Sequence, residues 1–365
     1  MTDNSTRKLR ELGWNSFFQN QFKLLQIPGS EPARVFSERK QAYQVYSRHG
    51  ELSARISGKL RHRASMEGHY PAVGDWVVIK PQVEERKCII HDILPRKTKF
   101  SRKVVGSRTE EQVVAANVDT VFVVNGLDGG RNFNLRRIER YLTLTWSSGA
   151  SPVIVLNKVD LCPDVDEFIR DVELVASGVH IHAVSATEGT GLDALMGYLT
   201  RGKTAAFLGP SGVGKSALIN ALLGIERQVT GEVRVADHKG RHTTSWRELF
   251  LLPSGGAVID TPGMREIQMW ADEDDLQNVF YDIEALAEEC RFNDCQHYEE
   301  PGCAVTAAIE RGDLDATRLE SYRKLQRELR HLASREEQSA RLEEKARWKK
   351  ISQWVKETKT MRKHL

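Results

Sequence analysis

A glycine-rich stretch of eight residues decides the fold of the central part of this chain: Gly209-Pro210-Ser211-Gly212-Val213-Gly214-Lys215-Ser216. It matches the pattern G-x-x-x-x-G-K-[S/T], in which glycines let backbone N–H groups turn toward phosphate oxygens. An apolar run precedes it and a helix-compatible run starting at Ala217 follows it, so the helix N-terminus adds its positive dipole end. The stretch therefore predicts a site where Lys215 reaches the β- and γ-phosphates and the Ser216 hydroxyl ligates Mg²⁺.

A second phosphate motif, Asp260-Thr261-Pro262-Gly263, follows another apolar run about fifty residues further along the chain. An Asp at the end of a strand can hold Mg²⁺ through water, and the Gly263 N–H can meet the γ-phosphate. Alone, D-x-x-G is more often a plain turn. After a phosphate loop at this distance, it indicates the γ-phosphate sensor of a nucleotide hydrolase.

Two further loops favour guanine as the base. Asn157-Lys158-Val159-Asp160 and Ser185-Ala186 each follow an apolar run. The Asp160 carboxylate can accept both hydrogen bonds from the N1–H and N2–H₂ edge of guanine, which adenine lacks. Asn157 can tie this loop to the phosphate loop, the Lys158 stem can cover the base, and a backbone N–H at Ser185-Ala186 can meet guanine O6. The combination predicts GTP rather than ATP.

The order of the motifs is unusual. The base loops come before the phosphate loop, whereas the common order is the reverse. The strands can still occupy the usual places in the sheet if the chain is circularly permuted. The segment after Gly263 then leads directly into the C-terminal region.

The rest of the chain predicts three further parts. Residues 1–33 are polar and are expected to be an N-terminal extension of uncertain order. Residues 34–105 hold short β-rich runs separated by turns, which is typical of a small antiparallel barrel or sandwich. Residues 106–270 alternate continuous apolar runs with helical patterns, which indicates an α/β domain with a parallel sheet. Residues 271–335 are expected to be helical, and residues 336–365 form a basic tail.

Four metal-ligand side chains lie within about fourteen residues near the C-terminus: Cys290, Cys295, His297 and Cys303. Three thiolates and one imidazole make a closed tetrahedral set for a structural Zn²⁺. In a reducing compartment such a cluster favours a metal site over disulfides. The other two of the five cysteines are expected to be small buried hydrophobes.

Composition places the chain among globular proteins, because the hydrophobic and charged fractions are 40% and 28%. No apolar run is long enough to span a bilayer and the first residues lack a signal-peptide pattern, so a cytoplasmic protein without membrane contact is expected. The net charge of +3 does not by itself indicate a nucleic-acid-binding protein. Residues 341–365 carry about +6, which can meet phosphate backbones or be a solvated tail.

Taken together, the motif order N-K-x-D, Ser-Ala, GPSGVGKS, RHTT, DTPG and C-x4-C-x-H-x5-C resembles the circularly permuted GTPase family of small ribosomal subunit biogenesis factors (RsgA). The resemblance covers residues from about 34 to 335. It implies an N-terminal OB-fold barrel, a circularly permuted P-loop GTPase domain and a C-terminal helical zinc domain. It also implies late maturation of the 30S subunit, with contacts to rRNA through the barrel and the zinc domain, and an expected monomer that exchanges GTP and GDP.

Carried over residue by residue, the resemblance assigns the guanine loop to Asn157–Asp160 and the phosphate loop to Gly209–Ser216. It assigns the switch I stretch to residues 241–244, where Thr243 or Thr244 ligates Mg²⁺ when GTP is bound. Met264 stands where many GTPases carry a water-positioning Gln, so slow intrinsic hydrolysis and stimulation by the subunit are expected. His242 is the internal candidate for that task.

Two rival functions remain open from the sequence. One is a non-ribosomal GTPase switch that binds a protein partner through the zinc module. The other is an RNA-binding protein with a vestigial nucleotide site, against which the intact Lys215, Ser216, Asp260 and Asp160 argue.

Overall fold

The computed structural model describes residues 8–39, 42–67, 69–103, 111–129, 132–224, 247–260, 276, 279–298, 300–330 and 334. Across these residues, none of the helices is both long and apolar enough to cross a bilayer.

The first part of the chain is a closed five-stranded barrel. Its elements are α1 (Ser16–Leu25), β1 (Glu31–Arg39), β2 (Ala42–Ser47), β3 (Gly50–Ile56), α2 (Gly58–Glu67), β4 (Trp76–Gln82) and β5 (Lys87–Ile93). The strand order is β1-β2-β3-β5-β4, and β4 pairs again with β1 to close the barrel. Side chains alternate between core and surface along β3, where Leu52, Ala54 and Ile56 point inward. A five-stranded barrel fits the OB-fold.

The pairing inside the barrel differs in one respect from the antiparallel arrangement that the sequence suggested. Strands β3 and β5 run parallel, whereas the other pairs are antiparallel. Parallel neighbours need a long crossover connection. Helix α2 and strand β4 supply it.

An aromatic cluster joins the N-terminal residues to the outside of the barrel. Trp14 lies against Trp76 of β4, with ring centroids 4.7 Å apart, and Phe18 of α1 lies 5.8 Å from the same ring. Leu9 and Leu12 are buried in this cluster. The segment from Leu9 to Ile27 therefore packs its apolar side chains against the barrel.

A buried arginine holds the same junction together. The Arg34 guanidinium is 2% exposed and donates hydrogen bonds to the carbonyl oxygens of Leu12, Gly74 and Asn117. Burial lowers its pKa to about 10, against the opposing attraction of Asp119 and Asp75. The charge is thus satisfied by backbone from three separate segments.

The second part is an α/β unit. It is preceded by an antiparallel pair of strands, β6 (Lys99–Lys103) and β7 (Glu111–Ala116). The elements that follow are those that the alternating sequence pattern predicts, with β12 added. They are β8 (Thr120–Gly126), α3 (Leu135–Ser147), β9 (Ser151–Asn157), α4 (Val165–Val175), β10 (Ile181–Val184), α5 (Leu192–Met196), β11 (Thr204–Leu208), α6 (Lys215–Leu223), β12 (Arg247–Leu251) and β13 (Ala257–Asp260). Every residue of β8 and of β11 is buried. The continuous apolar runs therefore reflect burial on both faces of the sheet.

The strand order in this unit is β10-β9-β8-β11-β13-β12, parallel except for β12. The chain passes outward from β8 to β9 and β10, then returns to place β11 on the other side of β8. Ligands of open α/β sheets bind at the carboxyl ends of strands where the order reverses in this way. The phosphate loop follows β11 at that point.

The barrel and the α/β unit share one sheet. The first residues of β1 pair with β4, whereas Ser37 and Glu38 pair with Glu248 and Arg247 of β12. An irregularity between Val35 and Ser37 in the β1–β2 pairing lies where the strand changes partner. Strand β1 therefore leaves the barrel and extends the α/β sheet.

The C-terminal part is helical and docks on α3. It contains α7 (Tyr281–Ala287), α8 (Ala304–Arg311) and a helical segment at residues 316–330. Arg318 of that segment donates to Glu139 of α3 at 2.8 Å and to both carboxylate oxygens of Asp282 at 2.6 and 2.8 Å. Arg140 of α3 makes a bidentate pair with Glu328. Apolar residues of both parts belong to one core, so the helical module is packed onto the α/β unit.

Candidate functional site

The phosphate loop joins β11 to α6. Gly209 has φ +156°, and a Cβ there would lie 2.5 Å from the carbonyl oxygen of Val124. Gly214 caps α6 with φ +93°, and a Cβ there would lie 2.3 Å from Asn157 Nδ2. Both glycines are therefore required by close approach to neighbouring strands as well as by backbone conformation.

Lys215 and its neighbours line the mouth of this loop. The Lys215 ammonium donates to the carbonyl oxygens of Gly209 at 2.8 Å and Pro210 at 2.6 Å. Ser211 and Gly212 are exposed, Val213 is buried, and the residues from Gly214 to Ala217, including Ser216, are half-buried at the start of α6. The loop thus presents a lysine, a hydroxyl and a helix N-terminus on one accessible surface, which suits a polyphosphate.

Asn157 connects the guanine loop to the phosphate loop and to the Ser185-Ala186 loop. Its side-chain Nδ2 donates to the Val213 carbonyl of the phosphate loop at 2.8 Å. Its Oδ1 accepts from the Ala186 N–H at 3.1 Å. The side chain is 1% exposed. Loops that lie 56 and 29 residues from Asn157 in sequence are therefore held at one edge of the sheet by a single amide.

The other base-loop residues surround this amide. Ser185 is fully buried, and its hydroxyl accepts from the Glu188 N–H, which shapes the turn after β10. Val159 and Asp160 belong to a short 3-10 helix, Val159–Leu161. Val159 is half-buried and Asp160 is exposed, so the Asp160 carboxylate is available to a ligand.

Two residues of this site were missed by the sequence analysis. Asp128 accepts from Lys158 Nζ at 2.6 Å and from Asn132 Nδ2 at 2.9 Å. The two missed residues, Asp128 and Asn132, lie in the connection after β8. Gly126 in the same region approaches Val213 of the phosphate loop. The signal was present: β8 is an apolar run next to the base-loop strand, and polar residues following parallel strands gather at the same edge.

The γ-phosphate side of the site is described only in part. Asp260 ends β13 and is half-buried. The predicted roles of Gly263, His242, Thr243, Thr244 and Met264 fall on residues that lie outside the described part of the chain.

The cysteine and histidine cluster comes together as a compact set. The ligand atoms of Cys290, Cys295, His297 and Cys303 all lie within 4.8 Å of one another. His297 Nδ1 is 3.6 Å from the sulfurs of Cys290 and Cys303, which are 3.9 Å apart. A tetrahedral zinc with its usual bond lengths needs sulfur–sulfur edges of about 3.8 Å and sulfur–nitrogen edges of about 3.6 Å. The four residues therefore fit a bound metal ion.

The neighbours of Cys303 favour its thiolate form, whereas burial raises the pKa of the Cys295 thiol. Cys303 caps α8, and its sulfur accepts from the Thr306 N–H at 3.4 Å. Burial alone raises the pKa of the Cys303 thiol, but hydrogen bonds from Thr306 and His297 outweigh it, so the pKa is lowered. Metal ligation needs this deprotonated form. None of the five cysteines forms a disulfide.

One basic side chain of the barrel region, that of Arg96, is held by neighbouring groups. Arg96 makes two hydrogen bonds to Asp75, which is fully buried, and a third to the Tyr70 carbonyl. It therefore stabilises the barrel. Lys59, Arg61 and Arg63 lie exposed along α2, and Arg63 pairs with Asp92.

Comparison with protein families gives two matches. The model described as RsgA GTPase matches residues 93–270. A model described as ABC transporter matches residues 192–364, which include the phosphate loop but not the guanine loop. The phosphate loop is common to P-loop NTPases of many kinds, so the second match does not distinguish between them.

Curated relatives match along almost the whole chain. The small ribosomal subunit biogenesis GTPase RsgA of Opitutus terrae is 48% identical over 354 residues, covering 94% of this chain and 96% of that protein. The small ribosomal subunit biogenesis GTPase RsgA 1 of Oceanobacillus iheyensis is 45% identical over 328 residues, covering 90% and 93%.

Solved structures share the fold. YjeQ from Thermotoga maritima superimposes with a TM-score of 0.61 at 28% identity, covering 82% of this chain and 98% of that one. YloQ, a circularly permuted GTPase, gives a TM-score of 0.58 at 23% identity, covering 84% and 97%, and supports the fold alone. The predicted fold class, a permuted P-loop domain with a barrel before it and a Cys/His module after it, is confirmed. The chain belongs to the RsgA family of small ribosomal subunit biogenesis GTPases.

Proposed function

We propose that this chain hydrolyses GTP during late maturation of the 30S ribosomal subunit, slowly alone and faster when bound to the subunit. One observation carries the nucleotide part of the proposal. Asn157 binds the phosphate loop and the Ser185-Ala186 loop at once, and this link between the loops supports a single nucleotide site. The names of the curated relatives support the ribosomal part.

At this proposed site each residue has a separate task. Asp160 accepts from the guanine edge and the Ala186 region donates to guanine O6. The phosphate loop holds the β- and γ-phosphates, with Lys215 moving from its own loop carbonyls to phosphate oxygens. Ser216 and Asp260, together with Thr243 or Thr244, would hold Mg²⁺, which would supply positive charge beside the phosphate oxygens.

Hydrolysis is expected to be slow without a partner. Met264 cannot orient the attacking water as a Gln does, and a missing positioning or arginine-type group can cost a factor of ~10³–10⁵. The subunit is proposed to complete the site, directly or by ordering the switch I residues, with His242 as the internal candidate for water positioning.

The Cys/His cluster is proposed to hold one structural Zn²⁺. Its distances fit a tetrahedral ion, and four protein ligands leave no open position for catalysis. The module and the barrel are proposed to contact rRNA, the barrel through the exposed cations of α2. The protein is proposed to act as a cytoplasmic monomer.

Two experiments test this proposal. GTP hydrolysis is measured with and without purified 30S subunits, and an unchanged rate contradicts the ribosomal part. Nucleotide selection is measured with Asp160→Asn, which offers a donor where the carboxylate accepted. Loss of GTP binding with a gain for xanthosine triphosphate, whose base carries an oxygen in place of the amino group, supports the guanine loop. Asp166→Asn, an exposed neighbour, is the matched control and keeps GTP preference.

A further inference from the structure

The base loop contains an ion pair that nucleotide chemistry alone does not require. Lys158 Nζ lies 2.6 Å from Asp128 Oδ2, and the two side chains are 24% and 19% exposed. A pair this shielded is more than a surface salt bridge, whose contribution is usually small. The ion pair lies beside Asp160, in the loop that is proposed to bind guanine.

The backbone of Lys158 is already fixed. Lys158 has φ +69° at the start of the 3-10 helix that carries Asp160, and the Leu161 N–H donates to its carbonyl oxygen. The long side chain of a lysine is free to move, and fixing it in one conformation costs about 2 kcal/mol of rotamer entropy. Asp128 restricts that freedom by holding the ammonium at the far end of the stem.

Asp128 is itself held in place from both sides. Asn132 Nδ2 donates to the same carboxylate oxygen at 2.9 Å. The Leu127 N–H donates to the Asn157 carbonyl at 2.8 Å. The connection that carries Asp128 is therefore tied to the base loop at its backbone and to Lys158 at its side chain.

The carboxylate keeps its charge. Burial raises the pKa of Asp128, but the hydrogen bonds from Lys158 and Asn132 and the lysine charge outweigh burial and leave the pKa below its usual value. The ion pair thus persists throughout the neutral pH range.

We propose that Asp128 is a positioning residue for guanine nucleotides: it anchors the Lys158 ammonium so that the lysine stem lies in place to cover the base before the nucleotide arrives. The inference rests on the proposed guanine role of residues 157–160. A preordered side chain loses less entropy on binding, which strengthens affinity without adding a contact. Because GTP and GDP share the base, both nucleotides gain equally, and the hydrolytic step is unaffected.

The test is a double-mutant cycle on nucleotide affinity. Asp128→Asn keeps the side-chain shape and an oxygen for Asn132 but removes the charge. We expect it to weaken GDP and GTP binding about tenfold, about 1.4 kcal/mol, and to raise KM with kcat within twofold. Lys158→Met keeps the apolar stem but loses the anchor, and we expect a similar loss. Because both substitutions remove the same ion pair, the double variant is expected to bind nucleotide no more weakly than Lys158→Met.

A matched control lies at the opposite end of β8. Lys203 Nζ and Asp119 Oδ1 form an ion pair at 3.2 Å, and Lys203→Met is expected to leave nucleotide affinity unchanged. Asp128→Glu, which retains the charge, is expected to recover part of the lost affinity.

Three results overturn the inference. Tighter binding by Asp128→Asn means that Asp128 competes with the nucleotide for Lys158. Fully additive losses in the double variant mean that the two residues act independently. A kcat change without a KM change means that the pair acts on hydrolysis. Failure of the proposed guanine site is recognised separately, since Asp160→Asn then leaves the preference between GTP and xanthosine triphosphate unchanged.

Discussion

Replacing Arg318 with Met removes one of the ion pairs through which the C-terminal module docks on α3. Arg318 is 7% exposed, Glu139 is 2% exposed, and the guanidinium also binds both oxygens of Asp282 and the Val279 carbonyl. Met fills much of the same volume but leaves Glu139 buried without its cation. Removing one partner of a buried pair typically costs 3–5 kcal/mol, so we expect a loss of about that size.

The assay is urea unfolding followed by far-ultraviolet circular dichroism. With a slope of about 2–3 kcal/mol per molar urea, the transition that reports the module is expected to shift by more than about 1 M. The control is Arg311→Met, which removes an exposed pair with Asp313 and is expected to change stability by at most about 1 kcal/mol. If both variants unfold at the same urea concentration, the docking role of Arg318 is wrong.

Three other perturbations have defined outcomes. Gly214→Ala places a methyl group 2.3 Å from Asn157 Nδ2, so nucleotide binding measured by fluorescence titration is expected to fall by more than tenfold. Removal of metal with a strong chelator is expected to unfold residues 290–303, seen as faster amide hydrogen exchange there while the barrel keeps its protection. Burial raises the pKa of Glu139 above 4.5 despite the opposing charge of Arg318; its titration therefore favours folding below pH 4.5, and this contribution is lost as pH rises through the folded-state value. Urea midpoints across that range should show wild type losing stability relative to Glu139→Gln as pH rises; a constant difference contradicts this.

Much of the α/β unit could be predicted because its signals are local. The buried strands β8 and β11 are continuous apolar runs, and the phosphate loop and the four metal ligands each lie in a short window. The loops that carry the predicted site residues 157–160, 185–186 and 209–217 are joined through one amide, that of Asn157. Their roles toward a nucleotide stay predictions until binding is measured.

Strand β1 shows why other parts were not found. Arg34 and Ser37 are buried there, at 2% each, so the strand lacks the alternation that marks its neighbours. The guanidinium is tolerated only because backbone oxygens from three distant segments surround it, and no local window contains that information. Asp128 follows a recognisable apolar run, but its partner Lys158 lies thirty residues later, so the sequence near Asp128 does not show the ion pair.

The strand shared by the barrel and the α/β sheet has a practical consequence for anyone dividing the protein. An isolated nucleotide-binding fragment would leave the backbone of Arg247 and Glu248 without the hydrogen-bonding neighbour that β1 provides. Unprotected strand edges recruit other chains. Such a fragment should self-associate, and its properties in solution would then reflect the exposed edge of β12 rather than the intact enzyme.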